Sequence, residues 1–319
     1  MREIYISDNE ANQRLDKFLA KLLNEAPKSF YYKMLRKKNI VLNGKKADGN
    51  EKLKQGDCVR LYLSEETLAK FSSAKEVVRP KGSLEILYED KNVVFLNKPA
   101  GLLSQKAQKG DVSVVDYLIT YLLDSHAISK EELKLFSPSV CNRLDRNTSG
   151  IVAAGKSLTG LQTLSQWFRD RSVGKYYRCL VKGNLSEKQR ICGYLRKNHQ
   201  TNQVSVTDDP TEGSVKIETE YEPIARGKET TLLEVHLITG KTHQIRAHLS
   251  QIGHPILGDP KYGDLKLNKT LRLQKQLLHA YRLELPKTTG ALSEIAGKTV
   301  IAPLPEHFKK VCQEQGVKI

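Results

Sequence analysis

From residue 84 onward, short apolar runs of strand-like length dominate this chain of 319 residues. Runs of this length, rich in Val, Ile, Leu, Tyr and Phe, are typical of β-strands. We predict strands at 84–88, 93–96, 151–154, 176–181 and 232–238. Helix-like stretches intervene at 113–123 and 158–171. Together these elements indicate a mixed α+β domain with a largely antiparallel sheet.

The first 63 residues follow another pattern, in which two helices precede short strands. Apolar side chains recur at helical spacing within 12–24, at Leu15, Phe18, Leu19, Leu22 and Leu23. We expect Asn12 to cap this helix and Ser29 to cap a second one. A strand that ends in an Asn-Gly hairpin turn is predicted at 40–44, and alternating apolar residues predict another strand at 59–63.

Residues 64–82 separate these two patterns and have the composition of a linker. They are polar and non-periodic, although a short helix around Leu68 and Phe71 fits the sequence. A chain of this length is expected to contain two domains. We therefore predict a small α/β domain at 1–63, a linker at 64–82 and the α+β domain at 83–319.

The chain has a net charge of +16, from 52 Lys and Arg against 36 Asp and Glu. An excess this large favours a polyanionic partner, either nucleic acid or an anionic membrane surface. No apolar stretch approaches the roughly 18 residues that span a bilayer, and the first residues lack the apolar core of a signal peptide. We therefore expect a cytoplasmic protein that binds nucleic acid. Its five scattered cysteines, none spaced C-x-x-C, fit reduced thiols and argue against a zinc knuckle.

Basic side chains are concentrated near the N-terminus. Residues 1–82 hold 18 Lys and Arg against 11 Asp and Glu, so a quarter of the chain carries nearly half of the excess charge. The candidate RNA-binding residues are Lys33, Arg36, Lys37, Lys38 and Lys45. Two helices, the second one basic, followed by Val-Leu-Asn-Gly at 41–44, resemble the alpha-L RNA-binding module of a small-subunit ribosomal protein and of many RNA-modifying enzymes. A solvated basic face without a ligand is the alternative.

One stretch places a carboxylate between two arginines. In Asn-Arg-Leu-Asp-Arg-Asn-Thr-Ser-Gly at 142–150, Asp145 lies between Arg143 and Arg146. Nearby positive charge favours the ionised carboxylate, and an ionised carboxylate in a pocket is a candidate nucleophile. Alternatively, Asp145 caps a helix or pairs with Arg143. The stretch resembles the RLD…TSG signature of the RluA-type pseudouridine synthases, enzymes that rearrange uridine within RNA.

Three further segments resemble the same family in the same order. Phe-Leu-Asn-Lys-Pro-Ala-Gly at 95–101 resembles a strand and tight turn, which would brace the catalytic loop. The segment 174–183 matches the family's K-x-Y-x-A-x-V pattern, and its register implies that Tyr177 is the active-site tyrosine. Thr-Gly-Lys-Thr-His-Gln-Ile-Arg-Ala-His-Leu at 239–249 implies that Arg246 pairs with the catalytic aspartate.

The resemblance also implies contacts with the substrate. Leu278 matches an apolar position that packs beneath the target base. Lys241 stands where the family has an arginine, which keeps the charge but loses the planar fork that grips phosphate. Asn142 replaces the family's usual histidine, and this departure bears on the substrate subclass more than on the chemistry. Arg143, beside the catalytic aspartate, is a candidate to fill the space that a flipped base leaves in its stack.

Three histidines near the last motif invite a metal hypothesis. His243, His248 and His254 lack the Glu that an H-E-x-x-H zinc motif requires. We therefore predict no metal site and expect these histidines to bond the backbone around the site.

The implied reaction breaks the bond between ribose and a uracil nitrogen and joins a ring carbon to the sugar instead. All atoms are conserved, so the resemblance implies no cofactor and no energy source. With an N-terminal RNA-binding domain, the expected substrate is large-subunit ribosomal RNA, or its assembly precursor, rather than transfer RNA. One alternative is an RNA-binding assembly factor with a vestigial site. Another is an unrelated hydrolase in which Asp259 is a second acid. We expect a monomer that acts on RNA and not at membranes.

Overall fold

The structure is a computed structural model that describes residues 1–7, 9–72, 77–198 and 200–319. Its strands are β1 Arg2–Tyr5, β2 Ile40–Leu42, β3 Lys45–Lys46, β4 Cys58–Leu61, β5 Glu85–Glu89, β6 Val93–Lys98, β7 Ser139–Val140, β8 Ser149–Gly155, β9 Gly174–Lys182, β10 Gln189–Asn198, β11 Gln203–Thr207, β12 Val215–Arg226, β13 Thr230–Leu237, β14 Leu278–Glu284 and β15 Thr299–Ile301. Its helices are α1 Leu15–Leu22, α2 Lys28–Arg36, α3 Glu65–Phe71, α4 Val114–Asp124, α5 Glu132–Leu135, α6 Leu158–Arg169, α7 Gln244–Gln251, α8 Leu265–Thr270 and α9 Glu306–Glu314.

The N-terminal module packs α1 and α2 against an antiparallel sheet with the order β1-β4-β2-β3. The apolar faces of both helices share one core with Ile40, Val59 and Leu61. Asn43 and Gly44 both have positive φ, 51° and 73°, which a two-residue type I′ turn requires. The predicted strand and hairpin turn are therefore confirmed.

Both helix caps predicted for this module are wrong. α1 begins at Leu15, and Asn12, with a φ of 66°, lies outside it in a left-handed conformation rather than the extended one of an N-cap. α2 begins at Lys28, so Ser29 lies inside its first turn. Pro27 occupies the cap position in extended conformation, because its fixed φ suits the entry to a helix.

Helix α3 forms where the sequence allowed a short helix, in the first part of the segment predicted as a linker. The Ser64 hydroxyl caps it by accepting the Thr67 N–H, and Leu68 is buried in the core of the N-terminal module. Residues 73–76 of the predicted linker lie outside the described residues. Leu135 of α5 packs against the same core. The predicted domain boundaries stay a prediction, but this helix packs with the module that precedes it.

The remainder of the chain is built on a large sheet with the order β11-β10-β12-β13-β9-β14-β8-β6-β5, to which β15 adds on β14 and β7 on β8. In the described part of the chain, the β8–β14 pairing is parallel and the others in this sheet are antiparallel. The predicted α+β fold is thus confirmed, and each predicted strand and helix of this region is present. The strands of this region without a counterpart among the predictions are β7, β10, β11, β12, β14 and β15. Within the described ranges, no helix is both long and apolar enough to cross a bilayer.

The large sheet consists of two parts that meet at the β8–β14 pairing, which we call the seam. Strands β5–β8 form one part and β9–β15 the other. At the seam, Ser149 pairs with His279 and Gly150 with Ala280. Gly150 has a φ of 108°, and a Cβ there would lie 2.2 Å from the Ala280 carbonyl oxygen. Only glycine therefore lets the two backbones approach this closely.

His279 fastens the seam with its side chain. Its ring is fully buried, with Nδ1 2.8 Å from the Ser149 hydroxyl and Nε2 3.2 Å from the Ala302 carbonyl oxygen. Burial lowers the pKa of His279 to about 4, against its usual 6.5. The folded protein therefore holds this ring neutral at pH values where the unfolded chain protonates it.

We expect His279 to make the fold sensitive to mild acid. The pKa of His279 is lower in the folded protein than in the unfolded chain. Its contribution to the free energy of unfolding is therefore complete above pH 6.5 and is lost as the pH falls towards 4, by about 2 kcal/mol at pH 5. Urea unfolding at pH 7.5 and pH 5 measures this difference, which should shrink in His279→Gln. His307→Gln, on the exposed face of α9, is the control. An undiminished difference in His279→Gln would contradict the assignment.

Candidate active site

Asp145 lies in the loop between β7 and β8, and a second loop holds its backbone on both sides. The Ser104 hydroxyl accepts the Leu144 N–H at 2.9 Å and donates to the Leu144 carbonyl oxygen at 3.0 Å. The Gly101 N–H donates to the Arg146 carbonyl oxygen at 2.8 Å. The backbone is therefore fixed immediately before and immediately after the carboxylate.

Lys98, the last residue of β6, forms hydrogen bonds to both of these loops. Its fully buried Nζ donates to the carbonyl oxygens of Pro99, Leu102 and Arg146 at 3.1, 2.8 and 3.0 Å. Burial lowers the pKa of Lys98 to about 7, although the Asp145 charge opposes this shift. Three carbonyl acceptors match the three N–H groups of an ammonium. The lysine thus braces the loop, as the resemblance implied for this segment.

Arg246 of α7 reaches Asp145 from the other part of the sheet. Its Nη1 donates to Asp145 Oδ2 at 2.8 Å, while Nε and Nη2 form a fork on Asp259 at 2.7 and 2.9 Å. Burial disfavours the charge, but the hydrogen bonds and charge of Asp259, then of Asp145, raise the pKa of Arg246 above its ordinary value. Asp145 therefore pairs with Arg246, and not with Arg143 as the alternative had it.

Asp259 is fully buried and anchors this arginine. Besides the arginine fork, its Oδ1 accepts the N–H groups of Lys261 and Tyr262 at 2.8 and 3.1 Å. Burial would raise the pKa of Asp259, but the hydrogen bonds and charge of Arg246 hold it below its usual value. A carboxylate in this state is not a proton donor, so the hydrolase alternative loses its second acid.

His243 is closer to the carboxylate than the sequence indicated. Its Nε2 lies 3.9 Å from Asp145 Oδ2, and its Nδ1 lies 2.9 Å from the Tyr262 hydroxyl. Burial lowers the pKa of His243, while the Asp145 charge opposes the shift. The expectation that this histidine bonds the backbone is wrong, because its partner is a side chain. No spacing in the sequence links His243 to Tyr262.

Tyr177 and Leu278 lie on adjacent strands, β9 and β14, in the same core as Leu144, the residue that precedes Asp145. Tyr177 is nearly buried and its hydroxyl makes no hydrogen bond to the described residues. Burial, then the Asp145 charge, raises the pKa of Tyr177. Tyr176 faces the other side of the sheet, where its ring stacks on His236 at 4.6 Å. The structure thus places Tyr177, and not its neighbour, on the Asp145 side.

Asp145 itself is partly open, with 26% of its side chain exposed. Arg246 and His243 face its Oδ2, and within the described residues Oδ1 has no hydrogen-bond partner. A carboxylate with one oxygen held and the other free, beside a phenol and an apolar floor, can act on the sugar carbon of a nucleoside whose base lies on that floor.

Comparisons with known proteins identify the chain. The family model described as RNA pseudouridylate synthase matches residues 92–251, about half of the chain. The chain belongs to this family. The S4 domain model matches residues 13–59 of the same synthase. The predicted kinship and the predicted RNA-modifying isomerase are thereby confirmed.

Curated relatives of this pseudouridine synthase match it over nearly their full length. "Ribosomal large subunit pseudouridine synthase C" of Haemophilus ducreyi is 32% identical, with 96% of this chain and 93% of the relative covered. The Escherichia coli protein of the same name is 30% identical, with 98% and 95% covered. Among solved structures, "Human RNA Pseudouridylate Synthase Domain Containing 4" has a TM-score of 0.59 at 23% identity, with 73% of this chain and 94% of that chain covered. That likeness supports the fold.

Three further residues of the family motifs lie in different surroundings, namely Asn142, Arg143 and Lys241. Asn142 uses its amide on the backbone of β8, donating to the Ile151 carbonyl oxygen at 3.1 Å and accepting the Ala153 N–H at 2.8 Å. It therefore supports the strand instead of facing the carboxylate. Arg143 and Lys241 are exposed, and their side chains make no hydrogen bond or ion pair within the described part of the synthase.

The basic residues of the S4 domain form an exposed group at the end of α2 and in the following hairpin. Neither hydrogen bonds nor ion pairs with other described residues engage their side chains, namely Lys33, Arg36, Lys37, Lys38 and Lys45. Surface cations without a protein partner are free to bind phosphates. We call these five residues the basic surface.

The other two histidines lie apart from Asp145. His248 is buried with its Nδ1 3.1 Å from the Thr219 hydroxyl, and His254 Nδ1 is 2.9 Å from the Lys182 carbonyl oxygen. Across the described ranges, no group of three or more His, Cys, Asp or Glu is placed to hold a metal ion.

Proposed function

We propose that this synthase isomerises specific uridines of large-subunit ribosomal RNA to pseudouridine. The observation that carries the proposal is the Arg246–Asp145 pair at 2.8 Å, next to the core that holds Tyr177 and Leu278, in a chain that matches two ribosomal large subunit synthases nearly end to end. The S4 domain and its basic surface support a large structured RNA as the partner. We propose that the enzyme acts as a cytoplasmic monomer without a cofactor.

In the proposed reaction, the target uridine leaves its stack and its base enters the pocket, which costs a few kcal/mol. Asp145 acts through its free Oδ1 on the ribose, either by attacking the anomeric carbon or by removing a sugar proton. The bond from ribose to the uracil nitrogen breaks, the retained base rotates, and a ring carbon joins the sugar. Joining that carbon to the sugar releases Asp145 from the anomeric carbon or is followed by return of the sugar proton. The ring carbon then gives up its own proton and the freed uracil nitrogen takes one up, so every atom of the nucleotide is conserved.

The other site residues have proposed roles in holding the reactants. Arg246 keeps Oδ2 of the aspartate fixed and charge-compensated. Tyr177 stacks on the uracil and offers its hydroxyl for proton transfer, and Leu278 packs beneath the base. Exposed Lys241 contacts a phosphate. Exposed Arg143 fills the vacated stack, an idea that fails if Arg143→Ala leaves both modification rate and RNA affinity unchanged.

Pseudouridine mapping of total RNA tests the proposal. Cells lacking this gene are compared with cells that carry either the wild-type gene or Asp145→Asn. We expect sites in large-subunit ribosomal RNA to disappear and to return only with the wild type. Loss of transfer RNA sites instead would identify a transfer RNA synthase. If no site changed in any RNA, an assembly factor with a vestigial site would replace the proposal.

The basic surface should contribute to RNA affinity in a salt-dependent way. Because each neutralised phosphate releases counterions, we expect Lys33→Gln/Arg36→Gln/Lys37→Gln to reduce the slope of log affinity against log salt by about 2 to 3. Filter binding of ribosomal RNA fragments between 50 and 200 mM salt measures it. Lys309→Gln/Lys310→Gln/Lys318→Gln removes as much charge near the C-terminus and is the control. Equal slopes in both triple variants would refute a dedicated basic surface.

A further inference from the structure

One tyrosine outside the predicted site contacts both groups that face Asp145. The Tyr262 hydroxyl is 2.9 Å from His243 Nδ1, and the Tyr262 ring lies 5.1 Å from the guanidinium carbon of Arg246. Its backbone N–H also donates to Asp259, the anchor of that arginine, at 3.1 Å. Through these contacts, Tyr262 touches both His243 and Arg246, the two described residues that face Oδ2 of the carboxylate.

The same hydroxyl connects the site to the edge of the large sheet. It accepts the backbone N–H of Val204 at 2.8 Å, and Val204 lies on the edge strand β11. Next to it, Lys261 Nζ donates to the Asn202 carbonyl oxygen at 3.0 Å, in the turn that joins β10 to β11. Two consecutive residues therefore fasten the β10–β11 hairpin beside α7, which carries Arg246.

The contacts of Tyr262 can fix the orientation of the groups around Asp145. Among the described residues, only Arg246 bonds Oδ2 directly. The 3.9 Å gap from His243 Nε2 to Oδ2 leaves the position of that ring dependent on its other side. That other side is the Tyr262 hydroxyl. Small displacements of groups around a reacting carboxylate lower rates strongly, because the reacting atoms must meet in one geometry.

We propose that Tyr262 is a positioning residue whose hydroxyl, by bonding His243 and Val204 together, fixes His243 against Oδ2 of Asp145 and ties the β10–β11 hairpin to the site. This inference rests on the proposed function, because it concerns the orientation of the same carboxylate. Tyr262 itself acts through His243 and does not touch the substrate.

Tyr262→Phe removes the hydroxyl and keeps the ring, so it tests the proposal. We expect the single-turnover rate at saturating RNA to fall on the order of tenfold, with RNA affinity within about twofold of wild type. Tyr221→Phe is the control, since Tyr221 likewise uses its hydroxyl on another element of the large sheet, donating it to Gln189 at 2.9 Å on a neighbouring strand. The urea concentrations at which the two variants are half unfolded show whether a loss of rate merely reflects a loss of stability.

A double-mutant cycle with His243 separates positioning from packing. His243→Asn places an amide near Nδ1 and removes the group that faces Asp145, whereas His243→Gln places an amide near Nε2. We expect Gln to retain more rate than Asn, and Tyr262→Phe to cost little further in His243→Asn. Additive losses, or a Tyr262→Phe rate equal to that of Tyr221→Phe, overturn the inference alone. A wild-type protein that makes no pseudouridine overturns the proposed function and this inference with it.

Discussion

Asp145→Asn is expected to abolish pseudouridine formation, with a rate loss on the order of 10⁴-fold or more, because an amide replaces the reacting carboxylate. RNA affinity should stay close to that of the wild type, since the basic surface lies on the S4 domain. Stability should also be preserved, because Arg246 keeps its fork on Asp259 and is not left unpaired. Single-turnover assays on a ribosomal RNA fragment measure the rate.

The control for this variant is another aspartate that pairs with an arginine. Asp124 forms an exposed pair with Arg79 at 3.0 Å, so Asp124→Asn makes the same chemical change without touching the site. We expect it to react at the wild-type rate. An Asp145→Asn protein within tenfold of wild type would mean that this carboxylate does not act on the sugar.

The second large effect is expected at Arg246. Arg246→Met leaves the fully buried Asp259 without its cation, and breaking a buried pair in this way costs about 3–5 kcal/mol of unfolding free energy. The rate should fall by on the order of 10²- to 10³-fold, because the donor that holds Asp145 is gone. Urea unfolding and single-turnover assays give the two quantities separately.

The double variant Arg246→Met/Asp259→Asn distinguishes the two effects. It removes the unpaired charge, so we expect a large part of the stability to return while the rate stays low. If the rate returned together with the stability, Arg246 would serve the fold and not the reaction. The rate and the stability of Arg246→Lys should lie between those of the wild type and of Arg246→Met. Its ammonium keeps a positive charge beside Asp259, but it cannot form both the two-bond fork on Asp259 and a third bond to Asp145.

The sequence predicted those parts of the fold that depend on local pattern. The apolar runs became strands, and the Asn43-Gly44 pair formed its turn, because backbone conformation there follows from the residues themselves. Asn12 failed as a cap because its left-handed backbone is set by the tertiary structure, in which its N–H bonds the Leu53 carbonyl oxygen. In β12, Ile217, Thr219 and Tyr221 do alternate with charged residues, so counting that period would have found the strand.

The residues of the site likewise fall into those that sequence motifs revealed and those that only the structure revealed. The motif letters led to Asp145 and Arg246, and the structure brings these two side chains together across 101 positions of sequence. Asp259 and Tyr262 act through side-chain contacts with residues 13 to 58 positions away along the chain. No local period encodes such contacts, so their roles required the three-dimensional arrangement.

The seam has a consequence for how much of the chain a working enzyme needs. Asp145 precedes β8 on one side of it, whereas Tyr177, Arg246 and Leu278 all belong to the other side. Each side is a run of consecutive sequence, so a break in the turn between α6 and β9 would yield two polypeptides that each lack part of the site. Neither polypeptide alone could isomerise uridine. Pseudouridine made from the mixture would report that the two fragments had joined along β8 and β14.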